Sequence, residues 1–212
     1  MFVREDIYKV DLTEGAYCYC ILTGEHNVLI DANFDHNAQA IIDDLKAAGI
    51  EKIDAIFLTH SDGDHIKGAK IISDHFSCPV FLSAREKVSM TDAATNKRGV
   101  ADAFEGVALP ELITFDDDAK EMFGIEIVPS YGHTYGHLCF LYEDALFAGD
   151  LIAERDGVFI ELDPKYIRDR DESLKAIDLM NDTVVFSLVC PTHGEPIEAT
   201  MMVLSGDDPW VS

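Results

Sequence analysis

The stretch that constrains this chain most is Thr59-His60-Ser61-Asp62-Gly63-Asp64-His65-Ile66-Lys67-Gly68. It follows Ala55-Ile56-Phe57-Leu58, an apolar run that reads as a buried strand. It precedes Ile66, Ala69, Ile71 and Ile72, whose spacing predicts a helix over 64–75. The strand therefore delivers His60, Asp62, Asp64 and His65 into the turn at its C-terminal end. Side chains two apart on extended backbone share a face, so His60, Asp62 and Asp64 can point the same way, and Gly63 permits a bend between the carboxylates. Imidazoles and carboxylates crowded this closely are costly to bury without a positive charge, and a divalent cation is the usual remedy. Capping a helix needs one Asp or Ser; two histidines and two carboxylates exceed that need.

The rest of the chain repeats the strand-to-helix rhythm. Ile7–Leu12 alternates as a strand, and Ala16–Leu22 with Val28–Ile30 forms a hairpin over Thr23-Gly24-Glu25-His26-Asn27, with His26 facing solvent. Asn37–Ala48 carries Ile41, Ile42 and Leu45 at helical spacing and stops at Gly49. Pro79–Leu82 reads as a strand. From 84 to 106 the pattern weakens into helical fragments and loop that would cover a site, and Lys97-Arg98 offers a basic pair for an anionic group or, more simply, a solvated loop. Asp116-Asp117-Asp118 marks a turn. Strands follow at 125–128, 138–142 and 145–150, then a helix over Asp169–Met180 and a strand at 184–189. Such alternation predicts α/β layers, and 212 residues suit one domain spanning 1–212.

Forty acidic against 16 basic residues give a net charge of -24, a field that repels phosphodiester backbones and anionic membranes. No nucleic-acid or membrane partner is therefore expected. With no apolar run of membrane-spanning length and no signal-peptide core after Met1, a cytoplasmic location is the expectation. The five cysteines (18, 20, 78, 139 and 190) sit mostly in apolar runs and read as reduced, buried thiols. His36 and His75 read as surface residues.

His60-Ser61-Asp62-Gly63-Asp64-His65 resembles the H-x-H-x-D-H signature of the metallo-β-lactamase superfamily, with Asp62 replacing the second histidine. Three further segments resemble that family in order: Gly132-His133-Thr134-Tyr135-Gly136-His137, the strand ending in Gly149-Asp150, and Pro191-Thr192-His193-Gly194. The resemblance implies a four-layer αββα sandwich with its ligands at one edge of two sheets. It implies one metal on His60, Asp62 and His133, a second on Asp64, His65 and His193, and Asp150 bridging them. Asp64 would also orient the nucleophile. Asp31, at the end of the hairpin's second strand, and His137 would support the ligands without ligating. The implied cofactors are two divalent ions, zinc first. Asp62 adds a hard oxygen donor and so shifts the first site toward iron or manganese.

The resemblance implies hydrolysis of a small ester, thioester or lactone by a hydroxide bridging the metals, as in the glyoxalase II-like branch. The chain has no counterpart of the C-terminal helical extension with which full-length glyoxalase II binds glutathione, which counts against that substrate. The alternatives are an iron oxidoreductase similar to persulfide dioxygenase or the flavodiiron proteins, a phosphodiesterase, and a metal-binding domain without catalysis. The oligomeric state is left open, a homodimer among the options.

Overall fold

The computed structural model describes residues 1–12, 14–92, 107–115 and 119–205. The basic pair Lys97-Arg98 and the Asp116–Asp118 turn lie outside them. The first half of the chain forms β1 (Phe2–Arg4), β2 (Ile7–Lys9), β3 (Tyr19–Leu22), β4 (Asn27–Ile30), α1 (Ala38–Ala47), β5 (Ala55–Phe57), α2 (Gly63–Ile66), α3 (Ala69–Phe76), β6 (Val80–Leu82), α4 (Ala84–Ser89) and β7 (Leu112–Thr114). Its strands make a seven-stranded sheet in simple sequence order, antiparallel through β4 and parallel from β4 to β7. The second half adds β8 (Glu121–Met122), β9 (Ile125–Pro129), β10 (Leu138–Tyr142), β11 (Ala145–Gly149), β12 (Ala153–Arg155), β13 (Val158–Ile160), α5 (Arg170–Thr183), β14 (Leu188–Pro191) and β15 (Ile197–Glu198). Six of these strands form the second sheet, ordered β15-β14-β11-β10-β9-β8, while β12 and β13 make a separate hairpin.

Alternation along the strands sorts the side chains into layers. Tyr19, Ile21, Val28, Ile30 and Phe57 of the first sheet pack between the sheets against Leu138, Phe140, Phe147 and Leu188 of the second. The intervening residues Cys20, Leu29, Ile56 and Val80 point outward and are covered by Ile41, Ile42 and Leu45 of α1 and Ile72 of α3. On the opposite flank Leu141, Leu146 and Val189 meet Ile177 and Met180 of α5. A period of two thus produces helix, sheet, sheet, helix, as the αββα expectation requires. The buried Tyr19 hydroxyl donates to the Pro191 carbonyl at 2.7 Å, a polar tie between the sheets.

The strands expected over 7–12 and 16–22 are shorter, at Ile7–Lys9 and Tyr19–Leu22, and two further elements differ from the sequence reading. The helix expected over 64–75 is broken into α2 and α3, because the Gly68 N–H leaves the helical ladder for the Asn33 carbonyl at 2.8 Å. A Cβ at Gly68 would overlap the Ala32 carbonyl, so only glycine permits this approach. The strand expected at 184–189 starts later, at Leu188. The backbone amides of Ser187 and Leu188 are held by the Asp144 carbonyl, which sets where parallel pairing with β11 begins, and Val185 is left 84% exposed. The other helices lie close to where they were expected. All five cysteines are free and four are buried. His36 and His75 are exposed, whereas His26 is half-buried against the Phe123 ring at 4.5 Å.

Candidate metal centre

Four segments that leave strands at one edge of the sandwich converge. The first sheet contributes residues 59–65 after β5, and the second contributes 130–137 after β9, Asp150 after β11, and Thr192-His193 after β14. These segments bring together all seven residues singled out above. His60, Asp62 and His133 form one group of potential ligand atoms, and Asp64, His65 and His193 a second. In the first, Asp62 Oδ2 lies 3.6 Å from His60 Nε2 and 3.4 Å from His133 Nε2. In the second, His193 Nε2 lies 3.5 Å and His65 Nε2 3.9 Å from Asp64 oxygens. Asp150 stands between them with its oxygens divided. Oδ2 faces His133 and His60 at 3.3 and 3.9 Å, and Oδ1 faces His65 and His193 at 3.3 and 3.5 Å.

The residues fit divalent cations. Nε2 of His60 and of His65 are buried and make no hydrogen bond, although carboxylate oxygens stand nearby. A buried polar atom is rarely left so unless something completes it, and here two such atoms point into rings of carboxylates. The metal-free electrostatics agree. Burial disfavours charge on Asp150, but His193, His65 and His133 outweigh it and hold that carboxyl well below the usual range. Asp62 is likewise held well below, burial being overcome by His133 and His60. Burial lowers the proton affinity of His65, yet Asp150, Asp31 and Asp64 together raise it well above an ordinary imidazole. Asp150 raises His193 as well.

Neighbouring groups hold His65 and Asp150 in place. Asp31, in the left-handed region that Asp tolerates, has φ 60° and accepts from the Thr59 amide at 2.8 Å. Its other oxygen takes the Thr59 hydroxyl at 2.8 Å and meets His65 Nδ1 at 2.9 Å, which turns His65 Nε2 toward the centre. The supporting part expected of Asp31 is the one its geometry fits. His137 accepts the Asp150 amide on Nε2 at 3.0 Å, so its proton sits on Nδ1, 2.7 Å from Ser130 Oγ. Burial, reinforced by His60 and His133, keeps His137 well below an ordinary imidazole. A Cβ at Gly149, where φ is +53°, would stand 2.6 Å from His137 Nε2, so this strand end also needs glycine. Thr192 donates to Asp150 Oδ1 at 2.6 Å.

The sequence reading missed Glu86. Only 1% exposed, it accepts four hydrogen bonds: Ser61 N and Oγ at 3.1 and 2.6 Å on Oε1, Thr134 Oγ1 and Gly136 N at 2.8 Å on Oε2. Its one local signal, Ser83-x-x-Glu86 at a helix start, suggests a capping box. Ser83 does accept the Glu86 amide, but the Glu86 side chain turns inward rather than back to the cap.

A cleft of about 1020 Å³ opens from Asp62, Asp64, Asp150 and His193. Phe34, Tyr17, Ile160, Leu162 and Tyr166 supply apolar wall, largely from β13 and the turn after it. His193, with its side chain 35% exposed, is the most accessible of the seven.

Sequence and fold match known proteins. The sequence profile of the metallo-β-lactamase superfamily matches residues 13–188, and the chain belongs to that superfamily. A probable metallo-hydrolase of Methanocaldococcus jannaschii is 29% identical over 136 residues, 62% of this chain and 65% of that protein; the chain thus spans just under two thirds of that relative. A probable metallo-hydrolase of Bacillus subtilis is 28% identical over 203 residues, 93% of this chain and 89% of its own. A hydroxyacylglutathione hydrolase of Shewanella denitrificans is 30% identical over 118 residues, 54% of this chain and 39% of its own. Among solved structures, a B3 metallo-β-lactamase superposes with a TM-score of 0.70 at 23% identity, covering 91% of this chain and 93% of that one. A protein solved in a di-iron-bound form gives 0.67 at 22% identity, covering 90% and 94%. At these identities the structural likeness speaks for the fold.

Proposed function

We propose that the chain is a metal-dependent hydrolase of small esters, thioesters or lactones, holding two divalent ions. His60, Asp62 and His133 hold one, Asp64, His65 and His193 the other, and Asp150 is shared. The observation that carries this reading is Asp150, whose two oxygens each face one histidine pair. Two ions held by these residues would supply Lewis acidity to a carbonyl oxygen and would lower the pKa of a bound water.

The chain's own residues do the rest. Asp64, with its side chain 24% exposed at the cleft floor, orients the attacking water and accepts from it. Asp31, Thr59, His137 and Thr192 keep the ligands from rotating, so little reorganisation is needed when charge develops. The apolar wall of Ile160, Leu162 and Tyr166 takes the acyl or leaving group and excludes water from one side of the bond. The hydroxyacylglutathione hydrolase among the relatives supports a thioester as the first substrate to try.

Zinc is the metal proposed first. Asp62 as a hard donor, with the fold neighbour that binds two irons, favours an iron oxidoreductase as the second reading. The net charge of -24 supports a small-molecule substrate rather than a nucleic acid or an anionic membrane surface. Among the described residues no helix is long and apolar enough to cross a membrane.

The test begins with elemental analysis of protein purified without added metal. Turnover of p-nitrophenyl esters, acyl-glutathione thioesters and lactones is then measured before and after chelation, with bis-p-nitrophenyl phosphate alongside. Two zinc or manganese per chain and chelator-sensitive carbonyl hydrolysis are expected. Turnover of the phosphodiester alone would make the protein a phosphodiesterase, and iron-dependent oxygen uptake with glutathione persulfide would make it an oxidoreductase.

A further inference from the structure

Glu86 lies outside every motif that carries the proposed ligands, yet it touches the loops on both sides of the first site. Oε1 takes the backbone and hydroxyl of Ser61, which sits between His60 and Asp62. Oε2 takes Thr134 and the Gly136 amide, on the loop that carries His133. These two loops come from different sheets, and a single carboxylate sets their separation. Two of its four donors are backbone amides, so it constrains the path of the chain and not only side-chain rotamers. The contact is close: a Cβ at Gly136 would overlap the Glu86 backbone nitrogen, which means the first turn of α4 lies directly on the His133 loop.

The adjacent residue holds the outer side of the same loop. The Arg85 guanidinium lies over the Tyr131 ring at 3.8 Å and the Tyr135 ring at 4.3 Å. From the opposite direction, the Arg168 and Asp169 amides take the carbonyls of His133 and Gly132, each at 2.9 Å. The second group is held otherwise: His65 by Asp31, with His193 on the loop after β14. None of these four bonds is made to Asp64, His65 or His193, so its direct contacts flank the first group.

We propose that Glu86 is a positioning residue that sets the spacing of His60, Asp62 and His133, and with it the affinity of the first metal site. The proposal rests on the two-metal reading above. A glutamine at 86 keeps one acceptor oxygen but presents its NH2 to the other loop, where the hydroxyl can turn to accept while the backbone N–H loses its acceptor, with shape and volume preserved.

The experiment is a stepwise metal titration of wild type, Glu86→Gln and the double variant Ser61→Ala/Thr134→Val, using manganese(II) and a competing chelator. Electron paramagnetic resonance reports whether two ions are coupled. Wild type should bind two ions and show the coupled signal. Glu86→Gln should keep the second-site affinity and lose about 10–100-fold at the first, the range typical for partners that orient a ligand. Its spectrum should then be that of an isolated ion in the second site, matching Asp62→Ala, whereas His193→Ala should leave an isolated ion in the first. The double variant removes both hydroxyl donors and leaves the two amide bonds, so a smaller loss, still confined to the first site, is expected of it and carries the test if Glu86→Gln does not fold. Two ions bound at wild-type affinity in the variants, or equal loss at both sites, would overturn the positioning role and leave the two-metal reading standing. A wild-type chain that binds one ion would instead overturn that reading, and this proposal with it.

Discussion

Asp62 is the residue at which this chain departs from the family signature, and its carboxylate occupies the place of a ligand, 3.6 and 3.4 Å from the His60 and His133 nitrogens. Asp62→Ala should weaken the first site by roughly 100-fold or more, beyond what loss of an orienting partner costs. Asp62→His should keep the site and move its preference toward zinc. Competition titrations with zinc, manganese and iron(II) read both outcomes, and unchanged affinity for every metal in Asp62→Ala would make the residue a bystander. His65 gives a pH prediction. In the metal-free chain its proton affinity is raised by Asp150, Asp31 and Asp64 against burial. The stabilisation from that proton is therefore complete below the ordinary imidazole pKa and is lost as pH rises through the raised value. A metal must displace the proton from Nε2, so apparent affinity at the second site should climb up to about tenfold per pH unit until that raised value is passed. Chelator competition at several pH values measures it, and a flat profile would show that His65 carries no proton to displace. His60, Asp62, Asp64 and His65 were legible as a crowded polar turn after an apolar run, while His133, Asp150 and His193 were legible only through the resemblance of their segments to the family's motifs. Glu86 was not, since its partners lie 25, 48 and 50 positions away and its own neighbourhood offers only a cap signal.

The helices were legible where one face is buried, and the central strands as apolar runs buried on both faces. Alternation in β3, β4, β5, β10 and β11 corresponds to the two-sided burial observed, and α1 shows Ile41, Ile42 and Leu45 on its covered side. What the pattern did not carry were the places where tertiary contacts interrupt an element. Gly68 ends α2 because Asn33 claims its amide, and Asp144 delays β14. The hairpin of β12 and β13, which walls the cleft, lies in a segment that gave no readable code. Gly136→Ala tests the contact between α4 and the His133 loop. The added methyl would overlap the Glu86 backbone, and the protein should lose about 1–3 kcal/mol of stability, the usual range for overpacking. Denaturant unfolding of the metal-free variant against wild type measures it, and an unchanged midpoint would show that α4 shifts freely.

At the scale of the molecule the excess of acidic side chains governs approach. Even with the two divalent ions proposed, a chain of net charge -24 would stay strongly negative, so anionic substrates would meet a repulsive field on the way to the cleft. The kcat/KM for a carboxylated ester should rise with ionic strength, while that of a neutral ester of similar size stays flat. Equal salt responses would place the excess charge away from the path of entry. The order of strands within each sheet was not legible, because β11 pairs in parallel with β14, more than 40 positions further on, and no local pattern announces such a partner. That arrangement has a consequence for assembly. His60, Asp62, Asp64 and His65 follow the first sheet, and His133, Asp150 and His193 follow the second. Neither half of the chain holds a complete set, so ion capture waits on the docking of two layers made at different times during synthesis. On the two-metal reading proposed above, the ions would act as late rivets across a seam, and a cell short of metal would accumulate sandwiches that are built but unfastened at one end. Chelated protein should exchange amide hydrogens faster around the ends of β5, β11 and β14 than in α1, with protection returning together at all three on reloading.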